Sequence, residues 1–291
     1  MESILAKGLL TNFFEGYNNT VTYWQEVATK VPSTARSENY AWIGSLPSMR
    51  KMRGERVPKK LAEHTYTITN EEYEASIEVL HADIKDDQTG QYGVQAKSIG
   101  ESAKAFPDEL IFGTLVPNGD SELCYDGQYF FDTDHPVGDT GTTQSNKITS
   151  ALSATTFNTA RTMLRKMKDD AGRPTVNRNM DLLLLVPADL ENTAEQILEA
   201  ERDSSGATNT NKGKARILVV DWLADTNNWY LLNVAGTIKP FVLQEREFIP
   251  FEALEEGSEP NFMRKKNYYG TYWRGNAGYG LYQKAVASIV A

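Results

Sequence analysis

Between Thr65 and Pro117 a long alternating segment runs directly into a long amphipathic one, and few folds accommodate the two together. From Thr65 to His81, Tyr66 and Ile68 share one parity and Tyr73, Ala75, Ile77 and Val79 the other, with polar or acidic residues between. Period two marks a half-buried strand, and the change of phase near Asn70-Glu71 predicts a bulge or bend. Past Asp86-Asp87, which sit where a helix N-terminus favours negative charge, apolar residues recur at Tyr92, Ala96, Ile99, Ala103, Phe106 and Leu110. Those steps of four and three describe one buried helical stripe. Pro107 falls inside the stripe without disturbing its phase, so either a kink or a second helix starting at Pro107 is expected.

Size turns the pattern into an argument about assembly. At about 3.3 Å per residue, Thr65 to His81 would span roughly 50 Å if extended, whereas a globule of this length has a radius of gyration of only ~19 Å. An exposed arm of that reach aggregates unless another chain covers it, so the sequence predicts a subunit made to be repeated. Just before the arm, Arg50, Lys51, Arg53, Arg56, Lys59 and Lys60 place six cations in eleven residues, broken by Gly54 and Pro58. A solvated loop is one reading. The other is pairing with another subunit's opposite charges, since Glu71, Glu72, Glu74 and Glu78 follow in the same projecting hairpin. Arg50, Lys51, Arg53, Arg56, Lys59, Lys60, Glu71, Glu72, Glu74, Asp86 and Asp87 are therefore the candidate inter-subunit contacts.

A chain of 291 residues with 40% hydrophobic composition buries a real core, in one large domain or two smaller ones. Its net charge of −9 and pI near 5.0 argue against sequence-independent duplex binding, though not against a surface that borders nucleic acid. A single cysteine, Cys124, excludes an intrachain disulfide and a cysteine-rich zinc site and reads as a buried, inert thiol. At the N-terminus Ile4, Leu5, Leu9, Phe13, Phe14 and Tyr17 form a helical stripe interrupted by Lys7 and Glu15. It is too short and too charged to span a membrane, and is expected to be an amphipathic arm packed on its own body or a neighbour's. No membrane partner is expected.

The remaining signals describe a second body. Asn118-Gly119-Asp120 marks a turn, and Asp126 to Gly141 reads as a surface loop. Thr156 to Ala171 is predicted as a helix with Phe157, Ala160, Leu164 and Met167 inward, capped by Ser153 or Thr155 and stopped by Gly172. Leu182 to Val186 is a buried strand. Pro187 opens a helix through Leu190, Ala194, Ile197 and Leu198, and Asp203 to Lys214 reads as a loop of disordered character. Strands are expected at Ile217 to Val220, Trp229 to Val234 and Phe241 to Leu243, in a mixed sheet flanked by helices. After a turn at Glu255 to Pro260, the aromatic strands of Tyr268 to Tyr282 are expected to rejoin the body that holds the long helix.

Catalytic chemistry is hard to find. Of three histidines, His64 and His81 lie on the arm. His135 sits in Asp132-Thr133-Asp134-His135-Pro136 with Asp126 and Asp139 nearby. Those groups suit a divalent cation, yet Asp, Gly and Pro together are also the vocabulary of turns. No phosphate-cradling, dinucleotide, nucleophile-elbow or zinc-protease motif occurs. No catalytic, cofactor or metal residue is assigned.

Six segments carry a resemblance that runs in order over nearly the whole chain: Ser37 to Gly44, Met52 to Arg56, Tyr66 to Asn70, Asp83 to Asp87, Tyr125 to Pro136 and Trp229 to Leu232. They resemble the major head subunit of Mu-like phages and prophages. That resemblance implies an α+β chain of the tailed-phage major capsid fold, Hong Kong 97-type, with an N-terminal arm, an extended E-loop hairpin, a long spine helix and a mixed-sheet axial domain. Mapped by residue number, it implies an arm over 1–45, the E-loop hairpin and long strand over 46–82, the peripheral-domain spine helix over 83–117, the axial domain over 118–250 and a return to the peripheral domain over 251–291.

The function so implied is self-assembly as hexamers and pentamers into an icosahedral virion head around a double-stranded DNA genome, with assembly in the host cytoplasm. Scaffold, maturation protease and portal are the implied partners, with a decoration protein as a further candidate. No N-terminal scaffolding segment is recognisable, so a separate scaffold or a processed chain is expected. The family has no catalytic residues to transfer, and no covalent crosslink is expected. Two other readings stand beside this one: a shell protein that encloses cargo in a cellular nanocompartment, and a metal-dependent hydrolase centred on Asp132, Asp134 and His135.

Overall fold

The computed structural model describes residues 4–40, 43, 66–85, 89–138, 141–169, 172–174, 177–203, 205–255 and 257–290. Helix α1 (Ile4–Asn19) is the amphipathic arm, and it packs on its own body. Ala6, Leu9 and Phe13 are buried, Phe13 lies 6.0 Å from Phe251, and Tyr17 stacks on Phe248 at 5.7 Å. A short α2 (Trp24–Val27) leads into β1 (Ala28–Pro32) and β2 (Ser37–Asn39).

The long strand expected from Thr65 to His81 is two strands. β3 (Thr67–Thr69) pairs antiparallel with β2, whereas β4 (Glu71–Leu80) belongs to another sheet. The break falls at Asn70, whose buried amide donates to Ser33 Oγ (2.8 Å) and Ala35 O (2.9 Å) and so holds the chain where it changes sheets. β4 alone reaches about 33 Å, and β12 (Lys266–Tyr279) pairs with it from Glu71 to Leu80. The chain thus covers one edge of its own limb, contrary to the expectation of an arm that only a neighbour could satisfy. The sheet has the order β1-β11-β12-β4, with β11 (Phe241–Leu254) parallel to β1 and antiparallel to β12. Helix α7 (Glu259–Arg264) closes the far end of the β11–β12 hairpin.

After α3 (His81–Lys85), helix α4 (Thr89–Asp108) lies against this sheet with Ala96 buried and Tyr92, Ile99, Ala103 and Phe106 half-buried. It runs through Pro107 and then widens into a π-helical turn over Glu109–Leu115, so neither a clean kink nor a fresh helix starts at the proline. Proline removes one N–H and crowds the carbonyl four residues back, and a wider turn is one way to absorb that misfit. Asp108, buried beside it, accepts from the N–H groups of Tyr23 (3.0 Å) and Trp24 (2.7 Å), which ties the arm to this helix. Burial pushes its carboxyl above the usual range, although those two N–H groups and Lys104 pull it back.

The second sheet has the order β7-β13-β10-β8-β9, built from β7 (Lys147–Ile148), β8 (Leu182–Val186), β9 (Arg216–Val219), β10 (Trp229–Asn233) and β13 (Ala285–Ser288). Successive leucines of β8 face opposite ways, Leu183 and Leu185 into the core shared with the first sheet, and Leu182 and Leu184 towards α5 (Ala154–Lys166) and α6 (Glu191–Leu198). Ser153 caps α5 in a reciprocal pair with Thr156, worth about 1 kcal/mol. The helix ends at Lys166, well before Gly172, because Met167 turns to an extended conformation and buries its side chain.

Two predicted loops are more ordered than their composition implies. Within Asp126 to Gly141, which contains β5 (His135–Pro136) paired with β6 (Thr143–Gln144), Phe130, Phe131, His135 and Val137 are buried. In the tract from Asp203 to Lys214, Asn209 donates to the carbonyls of Ile197 (2.9 Å) and Ala200 (3.0 Å), and Asn211 is buried.

Helices α1 and α4 meet backbone to backbone. A Cβ on Gly100 would lie 2.1 Å from Phe13 O, and one on Gly16 2.2 Å from Lys97 O. Gly100→Ala is predicted to cost about 1–3 kcal/mol by forcing the helices apart, although alanine alone favours a helix by about 1 kcal/mol. Urea denaturation measures the balance, and a variant as stable as wild type would show that the close contact is dispensable.

Candidate functional site

Two adjoining features concentrate chemistry: the root of the segment that carries the basic run, and the acidic edge of β4. The root is the β2–β3 ladder, extended by Tyr40 N donating to Tyr66 O (2.7 Å). Beneath it lies a buried polar network. Tyr40 Oη donates to Gln244 Oε1 (2.8 Å), Gln244 Nε2 donates to Asn70 Oδ1 (2.6 Å), and Asn70 reaches Ser33, whose hydroxyl donates to Glu38 Oε1 (2.9 Å). Each buried polar group has a partner, so the root is held in one orientation rather than merely sealed.

On the edge strand, Glu72, Glu74 and Glu78 share one face and Glu71 the other. Glu78 is engaged within the chain by Lys266 Nζ (2.6 Å) and Tyr268 Oη (2.9 Å), and the Lys266 bond holds its carboxyl below the usual range. Glu72 lies 3.5 Å from Arg274 yet stays 60% exposed. Glu71 and Glu74 accept only from Tyr73 Oη (3.0 Å) and Ser76 Oγ (2.9 Å), and neither has a cation within reach among the described residues. Beside this edge a groove of about 330 Å³ opens between β4, β12 and α4, floored by Tyr73, Phe106, Phe248 and Trp273. Arg50, Lys51, Arg53, Arg56, Lys59, Lys60, Asp86 and Asp87 lie outside the described residues.

The third feature is a buried cluster under Tyr282. His135 Nδ1 lies 2.7 Å from Asp126 Oδ2, Cys124 Sγ donates to Asp126 Oδ1 (3.0 Å), and the Gln128 N–H donates to the same oxygen (3.1 Å). The imidazole stacks on Tyr282 at 3.7 Å with its other nitrogen 3.2 Å from Asn146 Oδ1. That amide is oriented by donating to Phe130 O (2.7 Å) and accepting from Asp132 N (2.8 Å). Cys124, Asp126 and His135 are thus the cation-competent donors that the fold gathers, not Asp132 and Asp134, of which Asp134 is exposed. Burial pushes the Asp126 carboxyl up, but the bonds from His135, Cys124 and Gln128 outweigh it and hold the group below the usual range. Burial raises the Cys124 thiol far above its ordinary value, as befits an inert residue.

The Mu-like prophage major head subunit gpT family matches residues 3–151, 146–223 and 224–290. The Mu-like prophage FluMu major head subunit of Haemophilus influenzae is 30% identical over 284 residues, 97% of this chain and 71% of its own length. The chain belongs to this family. The major capsid protein of Escherichia phage Mu is 36% identical over 135 residues, covering 45% of this chain and 44% of that one. Among solved structures, the procapsid of bacteriophage JBD30 aligns over 100% of this chain and 77% of its own with a TM-score of 0.60 and 28% identity. The α+β architecture is the Hong Kong 97-type capsid fold, and the protein is a structural head subunit, not an enzyme.

Family membership sets aside the metal-dependent hydrolase and gives the buried cluster of the head subunit a structural sense: it staples the Tyr125 to Pro136 segment to the C-terminal strands through Tyr282. Sequence reading singled out His135 and Asp126 but not their joint burial. It marked Asn70 only as the site of a bulge or bend and gave no polar role to Asn70, Tyr40 or Gln244, although a glutamine ending the apolar run Phe241-Val242-Leu243 was a visible signal.

Asp126→Asn in the head subunit is predicted to cost about 1.5–3 kcal/mol at neutral pH, the range for a hydrogen bond to a charged group. Because the folded carboxyl titrates below its unfolded value of about 3.9, its contribution is present above that pH and lost as pH falls through the folded value. Urea melts across that acidic window should therefore show wild type and variant converging. Equal stability at pH 7 with parallel profiles would refute the assignment.

Proposed function

We propose that the head subunit assembles as hexamers and pentamers that close into an icosahedral shell around a double-stranded DNA genome. The N-terminal arm corresponds to 1–45, the E-loop hairpin and long strand to 46–82, the spine region to 83–117, the axial domain to 118–250 and the returning peripheral segment to 251–291. In this reading the cations of one copy, Arg50, Lys51, Arg53, Arg56, Lys59 and Lys60, face the carboxylates of Glu71, Glu72 and Glu74 on a neighbour, with Asp86 and Asp87 as further contacts. The observation that carries it is the acidic edge itself: Glu71 and Glu74 have no cation of their own among the described residues, on a strand that ends the order β1-β11-β12-β4 and has no further strand beside it among those residues. Such an edge is a standing invitation to another chain, and opposite charges select which chain and in what register.

A scaffold, a maturation protease, a portal and a decoration protein complete the proposed partners, with assembly in the host cytoplasm. Arg53→Glu combined with Arg56→Glu is expected to lower the yield of closed particles at least about tenfold, since like charges facing across an interface cost several kcal/mol. Electron microscopy counts the particles, and circular dichroism confirms that the chain is folded. Normal shells from the folded variant would refute the charge-pairing role.

A further inference from the structure

The two helices on one face of the five-stranded sheet carry opposite charge. From residue 141 to 168 there is no Asp or Glu, while Arg161, Arg165, Lys166 and Lys168 lie on α5 or just past it. From residue 179 to 201 there is no Lys or Arg, while Asp189, Glu191, Glu195 and Glu199 lie on or beside α6. With Phe157, Ala160 and Leu164 turned to the core, the helical repeat puts Arg161 and Arg165 along one flank of α5, and Lys168 follows in the extended segment just past its end. By the same rule Glu191, Glu195 and Glu199 line one flank of α6, whose Ala194, Ile197 and Leu198 are buried. All of these charged residues are exposed except Arg161, which is half-buried.

None of them has an ion-pair partner within 4.0 Å among the described residues, and the buried Nε of Arg161 has no hydrogen-bond partner there. Their placement explains why. α5 packs on β10 and β13, and α6 on β8 and β9, so they occupy opposite lateral halves of the sheet order β7-β13-β10-β8-β9. Helix α5 thus presents cations and helix α6 carboxylates, while of the nearby cations beyond α6 Lys212 and Arg216 are already paired, with Glu201 and with Glu26 and Asp181.

We propose that the α5 flank of one head subunit, through Arg161, Arg165 and Lys168, meets the α6 flank of the next, through Glu191, Glu195 and Glu199. A contact between two different faces of identical chains is heterologous, and repeated by a constant rotation it closes into a ring. Like-signed flanks repel, so the seam also fixes the direction in which copies follow one another. This inference rests on the ring-forming shell proposed above and names the surface that orders its rings.

The test uses the full chain. Arg165→Glu with Lys168→Glu reverses one flank, Glu195→Lys with Glu199→Lys reverses the other, and all four together restore complementarity with the signs exchanged. Each one-sided reversal is expected to lower sedimenting particles at least about tenfold, and the four-fold variant to recover them, with thermal melting confirming that every chain is folded. As a second readout, Arg165→Cys with Glu195→Cys, in a Cys124→Ser background, should give disulfide-linked dimers and higher ladders on oxidation. A one-sided reversal that assembles like wild type, a folded four-fold variant that fails to recover, or an absence of cross-links in formed particles would overturn the seam. So would an α5 reversal that leaves particle yield intact and lowers only the packaged DNA, which would assign that flank to nucleic acid. The wild-type control separates the two readings: particles from wild type and from every reversal overturn the seam alone, whereas a wild type that stays monomeric overturns the shell and the seam with it.

Discussion

Strand β12 is the constraint on which the rest of the head subunit depends. It pairs with β11 on one side and β4 on the other, so residues 71–80 and 241–254, far apart in sequence, are joined along its length. Its Trp273 meets Tyr73 at 5.7 Å and Phe106 at 5.5 Å, which seats the spine helix on the sheet. Its last residue, Tyr279, donates its N–H to Tyr66 Oη (2.8 Å) and its hydroxyl to Leu115 O (2.9 Å), so the hairpin root and the end of the spine are fixed to one point. Among the described residues, removing β12 would leave β4 with no strand partner and the long apolar stripe of α4 without its floor.

This dependence explains which parts of the fold were legible in the sequence. Local period is enough to find the α4 stripe, the buried β8 and the parity of Tyr73, Ala75, Ile77 and Val79, because each is fixed by which face meets a core. It is not enough to say where a strand changes sheets. The break at Asn70 is decided by Ser33 and Gln244, residues distant in sequence, and a phase flip reads the same whether it marks a bulge or a crossover. Composition misled for the same reason in the Asp126 to Gly141 segment, where turn-forming residues alternate with Phe130, Phe131 and His135 that the C-terminal strands bury. Of the candidate contacts, charge alone singled out Glu71, Glu72 and Glu74. What separates Glu71 and Glu74 from Glu78 is the presence of Lys266 and Tyr268 near Glu78 across the ladder, which pairing register decides, and by the same register Glu72 faces Arg274.

A limb with both edges bare would be a hazard to the free subunit. With β12 covering one edge, only the other edge of β4 is left without a strand beside it among the described residues. The same division holds in the second sheet, whose hydrophobic faces are filled by its own helices while only charge is left over on α5 and α6. Apolar burial organises each sheet within the chain, and the charge on α5 and α6 stays at the surface.

The root of the basic segment shows why buried polarity is worth its energetic cost here. An apolar plug in place of Tyr40, Gln244, Asn70 and Ser33 would seal the same space and would often be at least as stable. It would not distinguish one orientation from another, because hydrophobic contact is non-directional. A chain of hydrogen bonds with fixed donors and acceptors does distinguish them: Gln244 can satisfy Tyr40, Asn70 and the Ile68 carbonyl together only when β3 leaves the sheet at one angle. In a shell, any error in that angle would be multiplied along the segment it supports and repeated in every copy. Precision of direction, rather than added stability, is therefore the physical reason to keep a polar network at this point.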